Sequence, residues 1–336
     1  MKTFLVAAAF TCGSWSLVRA ETPPLQFIEL GDIELESGEK LLDTRLGYRT
    51  AGTLDARKSN AILWPTWFTG TSEDLFTTGS LSSVDTSKFF LIVVDALGNG
   101  VSTSPSNSSR QHGEAFPRIS IGDMVRSQHR LVTQVLGIER LHAVMGISMG
   151  GMQTFEWMTS YPGLMKKAVP IVGSPRLASY DLLLWRTELE AIELARKSGD
   201  PDAARPLVGM VSALGLQTPE YHARTTPRDS FGKLLEQAKA GGMKSMYDQR
   251  AQLQAMIDHD VARKLEGSLA KAAARVEAEV LNVVGLEDHM VTPGPALEFA
   301  ELLGTGSLAL ENDCGHILSA CEGARVEKAI AAFLAR

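Results

Sequence analysis

The fold of this chain is decided at Gly146-Ile147-Ser148-Met149-Gly150-Gly151-Met152-Gln153. This stretch follows the apolar run 141–145 and precedes the helix-like run 154–158. A short, continuous apolar run is typical of a strand that is covered on both faces. The sequence therefore predicts a strand, a tight turn and a helix in succession. Gly146 and Gly150 suit such a bend because backbone approaches backbone there and leaves no room for larger side chains.

Ser148 stands at the apex of this predicted turn. A G-x-S-x-G pentapeptide alone is weak evidence, but the strand, turn and helix around it form the setting of a nucleophile elbow. Met149 would then place its backbone N–H at the start of a helix, where a developing oxyanion is stabilised. The alternative is a plain glycine turn that carries no chemistry.

The apolar runs elsewhere in the chain predict the rest of the sheet. Two segments that alternate apolar and polar residues, 25–30 and 44–49, predict half-exposed strands at a sheet edge. Continuous runs predict buried parallel strands, and helix-like segments such as 121–136 lie between them. This alternation predicts an α/β fold with a mainly parallel sheet. The continuous runs are 61–64, 89–94, 141–145, 168–172 and 280–284.

The regular alternation stops between about residues 175 and 275, where helical patterns occur without a convincing strand. We expect an α/β core over 21–174 and 275–336, with a helical cap inserted over 175–274. Apolar residues of the cap would line the site, and Trp185, Leu182 and Met246 are candidates, although they could equally pack the cap together. The helical patterns cover 181–198, 231–240 and 246–265.

The N-terminal residues 1–20 resemble a secretory signal peptide, with Lys2, a short apolar stretch and a small-residue cleavage site ending at Ala20. We expect the mature chain to begin at Glu21 in the periplasm or outside the cell, without stable membrane insertion. Loss of the signal takes the formal net charge from −6 to −8. No block of basic residues offsets this charge, so nucleic acid is not an expected partner.

A serine hydroxyl needs a base and an orienting carboxylate to become a nucleophile. In α/β-hydrolases the three residues occur in the chain order Ser, Asp or Glu, His. His316 follows the last predicted strand, and Gly315 beside it permits a tight approach. Asp288 follows the strand before that one. We therefore predict Ser148 as the nucleophile, His316 as the general base and acid, and Asp288 as the carboxylate.

Other residues compete for two of these places. Glu287 is the nearest alternative to Asp288, and Asp313 is a weaker one. His289 is a less suitable base than His316, because a histidine directly beside its own acid can rarely fold back to reach it. Each of these residues could also be an ordinary loop residue.

The second oxyanion donor should come from the loop after the first buried central strand. Here that loop reads 65–71, and the backbone N–H of Phe68 is the best candidate. Its ring could instead be a simple packing group.

Two cysteines of the mature chain, Cys314 and Cys321, could form a disulfide or remain buried thiols, and the sequence does not decide between these states.

The chain resembles the homoserine O-acetyltransferase branch of the α/β-hydrolases. The resemblance is strongest at the extended Ser148 motif, Gly146 to Gln153, and also covers Phe68-Thr69-Gly70, the loop at Asp288 and Gly315-His316. It implies the same triad and the same oxyanion groups, Phe68 and Met149. Further matching segments are 60–63, 95–98, 102–106, 116–123, 136–138, 156–157 and 161–162.

Two departures from that family concern the substrate. In the transferases an arginine, phenylalanine, aspartate and asparagine run of the insertion is associated with the substrate site, whereas this chain has Ser245-Met246-Tyr247-Asp248-Gln249-Arg250-Ala251. After His316 the family usually has an acidic residue, and this chain has Ile317-Leu318-Ser319. Acetyl-CoA and homoserine are also cytoplasmic, which disagrees with a signal peptide.

We therefore expect an exported serine hydrolase, in particular a carboxylesterase on small or medium acyl esters, since water needs no second binding site. An O-acyltransferase is the alternative. An amidase, which could use the same triad, and a catalytically silent binding module are further hypotheses. The sequence contains no metal-ligand cluster and no phosphate-binding loop, so we expect no cofactor and no metal. It leaves the oligomeric state open, and a homodimer is compatible with it.

Overall fold

The computed structural model describes residues 22–336, and within them nine strands form one sheet. The predicted signal peptide and its cleavage site therefore lie outside the described residues. No helix in 22–336 is long and apolar enough to cross a bilayer. The strands are β1 Gln26–Glu34, β2 Lys40–Ala51, β3 Ala61–Pro65, β4 Phe90–Val94, β5 Leu141–Ile147, β6 Met165–Ile171, β7 Glu279–Val280, β8 Asn282–Gly285 and β9 Ser307–Leu310.

The strand order across the sheet is β1-β2-β4-β3-β5-β6-β8-β9, with β7 also pairing with β6. β1 pairs with β2, and β2 with β4, in antiparallel fashion, whereas all the other pairs are parallel. This order confirms the predicted α/β fold with a mainly parallel sheet, and it places the two N-terminal strands at one side of the sheet with β1 as the edge strand. The predicted single strand 280–284 is two short strands, interrupted at Leu281.

Both faces of the central strands are covered, as their continuous apolar sequences predict. In β3, Ala61 and Leu63 belong to the core on one face, and Ile62 and Trp64 to the core on the other. Helices cover both faces. They are α1 Ser72–Thr77, α2 Ile121–Arg130, α3 Met149–Ser160, α4 Ser179–Lys197, α5 Arg205–Leu216, α6 Pro219–Thr225, α7 Phe231–Lys239, α8 Met246–Ile257, α9 Leu269–Ala273, α10 Gly294–Leu303, α11 Leu318–Cys321 and α12 Gly323–Leu334.

A buried chain of amide hydrogen bonds fixes α3 against its neighbours. Gln128 of α2 accepts from Trp157 Nε1 at 2.8 Å and donates to Gln153 Oε1 at 2.6 Å. Gln153 donates in turn to the carbonyl oxygen of Thr66 at 3.1 Å. Since these side chains are buried, their hydrogen bonds compensate the loss of water and fix one packing arrangement. The first turn of α3 is thereby held against the loop that follows β3.

Helices α4 to α9 lie between β6 and β7, where the sequence predicts the helical cap. The division into separate core and cap domains stays a prediction. The predicted helix 246–265 is wrong in its second half, because α8 ends at Ile257. Beyond it, Asp260 forms a β-bridge with Arg176, and Val261 N–H donates to the carbonyl of Pro175. These bonds to the segment after β6 stabilise a non-helical backbone.

Candidate active site

Ser148 lies at the bend between β5 and α3 in a backbone conformation that side-chain-bearing residues rarely adopt, with φ 58° and ψ −119°. Two backbone hydrogen bonds hold it there. Its N–H donates to the carbonyl of Ile171 at 2.9 Å, and its carbonyl accepts from Met152 N–H at 2.9 Å. The side chain therefore projects from the carboxyl end of β5.

The glycines beside Ser148 allow this bend, as the sequence predicts. A Cβ atom on Gly146 would lie 2.5 Å from the carbonyl oxygen of Gly150. A Cβ on Gly150 would lie 2.7 Å from the carbonyl oxygen of Pro65. Both obstacles are backbone atoms, which cannot move aside as the end of a flexible side chain could, so neither position has room for a side chain.

Ser148, His316 and Asp288 are brought together from three separate parts of the chain. Ser148 Oγ donates to His316 Nε2 at 2.8 Å, and His316 Nδ1 donates to Asp288 Oδ2 at 2.7 Å. Ser148 and His316 are each 8% exposed, and Asp288 is 2% exposed. A hydroxyl, an imidazole and a carboxylate in this order can activate the hydroxyl as a nucleophile.

The structure separates the competing carboxylates that the sequence leaves open. Asp288 Oδ1 accepts two backbone hydrogen bonds, from Met290 and Val291, both at 2.9 Å, so this carboxylate is fixed by its own loop. Glu287 is exposed to solvent. Asp313 instead accepts from Nε and Nη2 of Arg224, both at 2.8 Å. Asp288 is therefore the carboxylate that contacts the imidazole.

Asp181 is a residue of this region that the sequence reasoning missed. It lies in the first turn of α4, is fully buried, and accepts hydrogen bonds from Thr292 N–H at 3.1 Å and Ala178 N–H at 3.1 Å. Burial raises the pKa of its carboxyl, and the charge of Asp288 acts in the same direction. The only sequence signal is an acid near a helix start, which usually indicates a solvent-exposed cap.

The two predicted oxyanion donors are in suitable elements. Met149 is the first residue of α3, so its N–H has no partner within the helix, and its side chain is buried in the core. Phe68 lies at the same cavity as Ser148, in the loop after β3. Its neighbour Thr69 donates to Gln252 Oε1 at 3.0 Å, and Gln252 donates to the carbonyl of Leu97. Gln252, which sequence reasoning also missed, thus anchors this loop to α8.

Ser148 and His316 open onto a cavity of about 900 Å³, which is also lined by residues of α4, α5, α7, α8 and α12 and by the loop after α1. Trp185 lines it, as predicted, and its ring meets that of Phe68 edge to face at 5.5 Å. The expectation for Leu182 and Met246 is wrong, because Leu182 packs against the core and Met246 is fully buried within it. Within residues 22–336, no group of three or more His, Cys, Asp or Glu side chains is placed to hold a metal.

A buried carboxyl lies next to the part of the cavity wall that α5 and α8 form. Glu188 of α4 is fully buried, and its Oε1 accepts from Ser212 Oγ at 2.6 Å. Its Oε2 has no partner among the described residues. Burial raises the pKa of Glu188 to about 7, against the smaller effects of Ser212 and the Gln249 amide. Both Ser212 and Gln249 also line the cavity.

A disulfide and the contacts of Asp313 fix the turn that carries His316. A disulfide joins Cys314 to Cys321, which settles the alternative that the sequence leaves open. The carbonyl of Asp313 accepts from Thr218 Oγ1 at 2.6 Å, and its carboxylate pairs with Arg224. The segment of the chain that contains α6 therefore contacts the turn directly before His316.

This architecture and constellation define an α/β-hydrolase, and the family model described as "alpha/beta hydrolase fold" matches residues 62–320. The chain belongs to that family. Homoserine O-acetyltransferases are among its relatives, for example that of Methanococcoides burtonii, at 32% identity over 62% of this chain and 47% of the relative. The resemblance to that branch is thereby confirmed.

Esterases are also among its relatives. The chain is 31% identical to "Probable esterase Cgl0839" of Corynebacterium glutamicum, over 88% of this chain and 90% of the relative. It is 34% identical to "Ethyl acetate hydrolase" of Pseudomonas veronii, over 83% and 85%. The crystal structure of an acetylester hydrolase from Corynebacterium glutamicum superposes with a TM-score of 0.85 at 28% identity, covering 93% of this chain and 96% of that one.

We predict that Glu188 makes the stability of the protein fall as pH rises from about 4.5 to about 7. In this window the unfolded chain has released the proton, whereas the folded protein still holds it, so higher pH favours unfolding. The full effect is on the order of 3 kcal/mol. Urea denaturation at about pH 5 and about pH 8 measures this effect. Between the two pH values the free energy of unfolding of wild type should fall by roughly 2 to 3 kcal/mol more than that of Glu188→Gln.

Glu190→Gln is the matched control for this experiment, because Glu190 lies on the same helix but is exposed. Its free energy of unfolding should follow that of wild type at both pH values. The same pH dependence in Glu188→Gln and in wild type would show that Glu188 does not hold its proton in the folded protein.

Proposed function

We propose that this protein is a carboxylesterase that cleaves esters of small or medium acyl groups through an acyl-enzyme on Ser148. The observation that carries the proposal is the hydrogen-bonded series from Ser148 through His316 to Asp288, at 2.8 and 2.7 Å, on a cavity of about 900 Å³. The esterase names of the relatives support the same reaction class. A small-molecule ester is the expected substrate.

In this mechanism Ser148 Oγ attacks the carbonyl carbon while its proton passes to His316 Nε2. The negative charge that develops on the carbonyl oxygen is stabilised by the N–H groups of Met149 and Phe68. Collapse of the tetrahedral intermediate breaks the bond to the alcohol, which leaves with the proton from His316. Asp288 holds the ring orientation and stabilises the imidazolium.

Water then completes the cycle in the same site. His316 Nε2 removes a proton from the water as its oxygen attacks the acyl carbon of the acyl-enzyme. The second intermediate releases the carboxylic acid, and Ser148 Oγ recovers its proton from His316. No group beyond these residues and water is needed to balance the reaction.

An O-acyltransferase is the second candidate, because homoserine O-acetyltransferases are relatives. The side of the cavity formed by α4 to α8 is unsuited to a zwitterionic acceptor such as homoserine. The residues of α4 to α8 and their connections that line the cavity are uncharged throughout the described chain. Two charged residues of α8 do not line the cavity: Asp248 accepts a hydrogen bond from Ser106, and Arg250 forms an ion pair with Glu193. Elsewhere the cavity of the described chain is lined by one acid, Glu327, and by no Lys or Arg. Burying the carboxylate of a zwitterion without a cationic partner is costly, so water is the better acceptor here.

Export is a further part of the proposal. The N-terminal sequence pattern supports it, and so does the pairing of Cys314 with Cys321, since disulfides persist mainly in oxidising compartments. The protein would then act in the periplasm or outside the cell.

The reaction class is tested with p-nitrophenyl acetate and butyrate, with and without homoserine. We expect hydrolysis that homoserine does not accelerate. Ser148→Ala should lower kcat by at least about a thousandfold, because the nucleophile is lost. Ser87→Ala, at an exposed serine, is the matched control and should retain wild-type turnover. Acceleration by homoserine, with O-acylated homoserine as product, would favour the transferase instead.

The identity of the carboxylate is tested by Asp288→Asn beside Glu287→Gln. The first change removes the charge that orients His316 and stabilises its protonated form, so kcat/KM should fall by about 10³- to 10⁴-fold. The second removes an exposed charge and should leave kcat/KM within about twofold of wild type. Circular dichroism checks that both variants fold. A larger loss from Glu287→Gln would assign the role to that residue.

Export is tested by producing the full chain in a Gram-negative host and fractionating the cells. We expect the enzyme in the periplasm, with Glu21 as the first residue of the processed protein. A variant that lacks residues 2–20 should stay in the cytoplasm. Full-length, unprocessed protein in the cytoplasm would contradict export while leaving the reaction untouched.

A further inference from the structure

The cavity is larger than a short ester requires. About 900 Å³ is within the range that accommodates drug-sized ligands, whereas an acetyl or butyryl ester of a small alcohol contains only a few heavy atoms. This volume leaves space beyond the reacting carbonyl for a longer substrate. The groups that line this space indicate its chemistry.

Ser212 of α5 is a polar group of the cavity wall whose hydroxyl contacts a buried carboxyl. Its hydroxyl has one proton, which it donates to Glu188 Oε1 at 2.6 Å. The serine oxygen keeps its lone pairs, and Ser212 is partly exposed at the cavity. While this hydrogen bond is made, Ser212 presents a hydrogen-bond acceptor to the substrate.

The packing of the helices alone gives no reason for a carboxyl at position 188. Glu188 is fully buried, and its second oxygen has no partner in the described part of the chain. Such a group costs stability relative to an apolar side chain of similar size. Ser212 and Gln249 are the groups that act on this carboxyl, both are neutral, and no charged side chain of residues 22–336 contributes to its pKa. Orienting the Ser212 hydroxyl is a physical role that the Glu188 carboxyl does fill.

The position of Ser212 indicates which part of the substrate it meets. Helix α5 runs on to the turn that carries His316, where a Cβ atom on Gly315 would lie 3.1 Å from the carbonyl oxygen of Leu216. Ser212 lies one turn before Leu216 on that helix, and residues with this spacing are neighbours on one face. His316 delivers the proton to the leaving alcohol in the proposed mechanism. Ser212 therefore lies on the helix that packs against the turn of the residue that protonates the alcohol.

We propose that Ser212, oriented by Glu188, accepts a hydrogen bond from a hydroxyl group on the alcohol portion of the substrate, so that hydroxyalkyl esters are preferred substrates. This inference rests on the proposed esterase function and specifies its substrate class. Ser212 contacts the substrate, and Glu188 is a positioning residue that acts through it.

The test compares matched pairs of esters that differ by one hydroxyl. Hydroxyethyl, hydroxybutyl and hydroxyhexyl acetate are each measured beside propyl, pentyl or heptyl acetate, and the ratio of kcat/KM is taken within each enzyme so that differences in folded protein cancel. In wild type we expect one hydroxyalkyl ester to exceed its partner by about tenfold, as one well-placed hydrogen bond allows. Ser212→Ala should abolish this preference.

Glu188→Gln tests the positioning role through pH. In wild type, kcat/KM of the hydroxyalkyl ester relative to its methoxyalkyl isomer, whose ether oxygen can only accept a hydrogen bond, should fall as pH falls below about 7, because the protonated carboxyl then donates to Ser212 and turns the serine proton towards the cavity. In Glu188→Gln the ratio should not vary with pH. Any effect of pH on His316 is the same for both esters of a pair, and it therefore cancels from the ratio of their kcat/KM values. Thr187→Ala, at an exposed residue of the same helix, is the control and should keep the wild-type ratio and its pH dependence.

The outcomes separate this inference from the function on which it rests. Equal turnover of hydroxyalkyl and alkyl acetates by wild type, or a preference that survives Ser212→Ala, would overturn the subsite and leave the esterase standing. A ratio with the same pH dependence in Glu188→Gln as in wild type would overturn the positioning role. Failure to hydrolyse any of the esters would overturn the proposed function and the subsite together.

Discussion

The site depends on one backbone constraint, the bend at Ser148 with its positive φ of 58°. A non-glycine residue in such a conformation costs on the order of 1–3 kcal/mol and persists only where its surroundings determine it completely. Here β6 supplies an acceptor for the Ser148 N–H. A Cβ on Gly151 would lie 2.9 Å from the Cα of Gly173, so α3 and the segment after β6 meet without side chains. The parallel sheet thus stabilises the conformation that exposes the serine.

Asp288 and His316 lie in the loops after β8 and β9, and carboxylates hold these loops in place. Asp288 accepts from the N–H groups of Met290 and Val291, and Asp181 accepts from the next N–H along, that of Thr292. Because Asp181 belongs to the first turn of α4, the loop of Asp288 is attached to the helical segment after β6. The His316 turn is attached to the same segment through Asp313. The position of these helices and the geometry of the site are therefore coupled.

The sequence allows the sheet, the bend and the hydrogen-bonded triad to be predicted, because each depends on local patterns or on chain order. It does not reveal which apolar cap residues face the cavity. Trp185 and Met246 both fit a helical stripe, yet only tertiary packing places one at the cavity and buries the other. Glu188 could not be found for a related reason. A glutamate within a helix is normally exposed, and its burial follows from the approach of α5 and α8 rather than from its own neighbours in sequence.

Apolar contacts and hydrogen bonds differ in how strongly they discriminate between substrates. An apolar wall distinguishes one methylene from the next by only about 1–3 kcal/mol, whereas a site built around a hydrogen bond rejects analogues that leave a buried polar group unpaired far more strongly. The carbonyl chemistry is fixed by β5, α3 and the loops after β8 and β9. Under the proposed esterase function, the polar groups that line the cavity, including those of the wall formed by α4 to α8, contribute the discrimination between esters. Among the groups of that wall, Ser212 is the one with a hydroxyl whose direction is set by a buried partner.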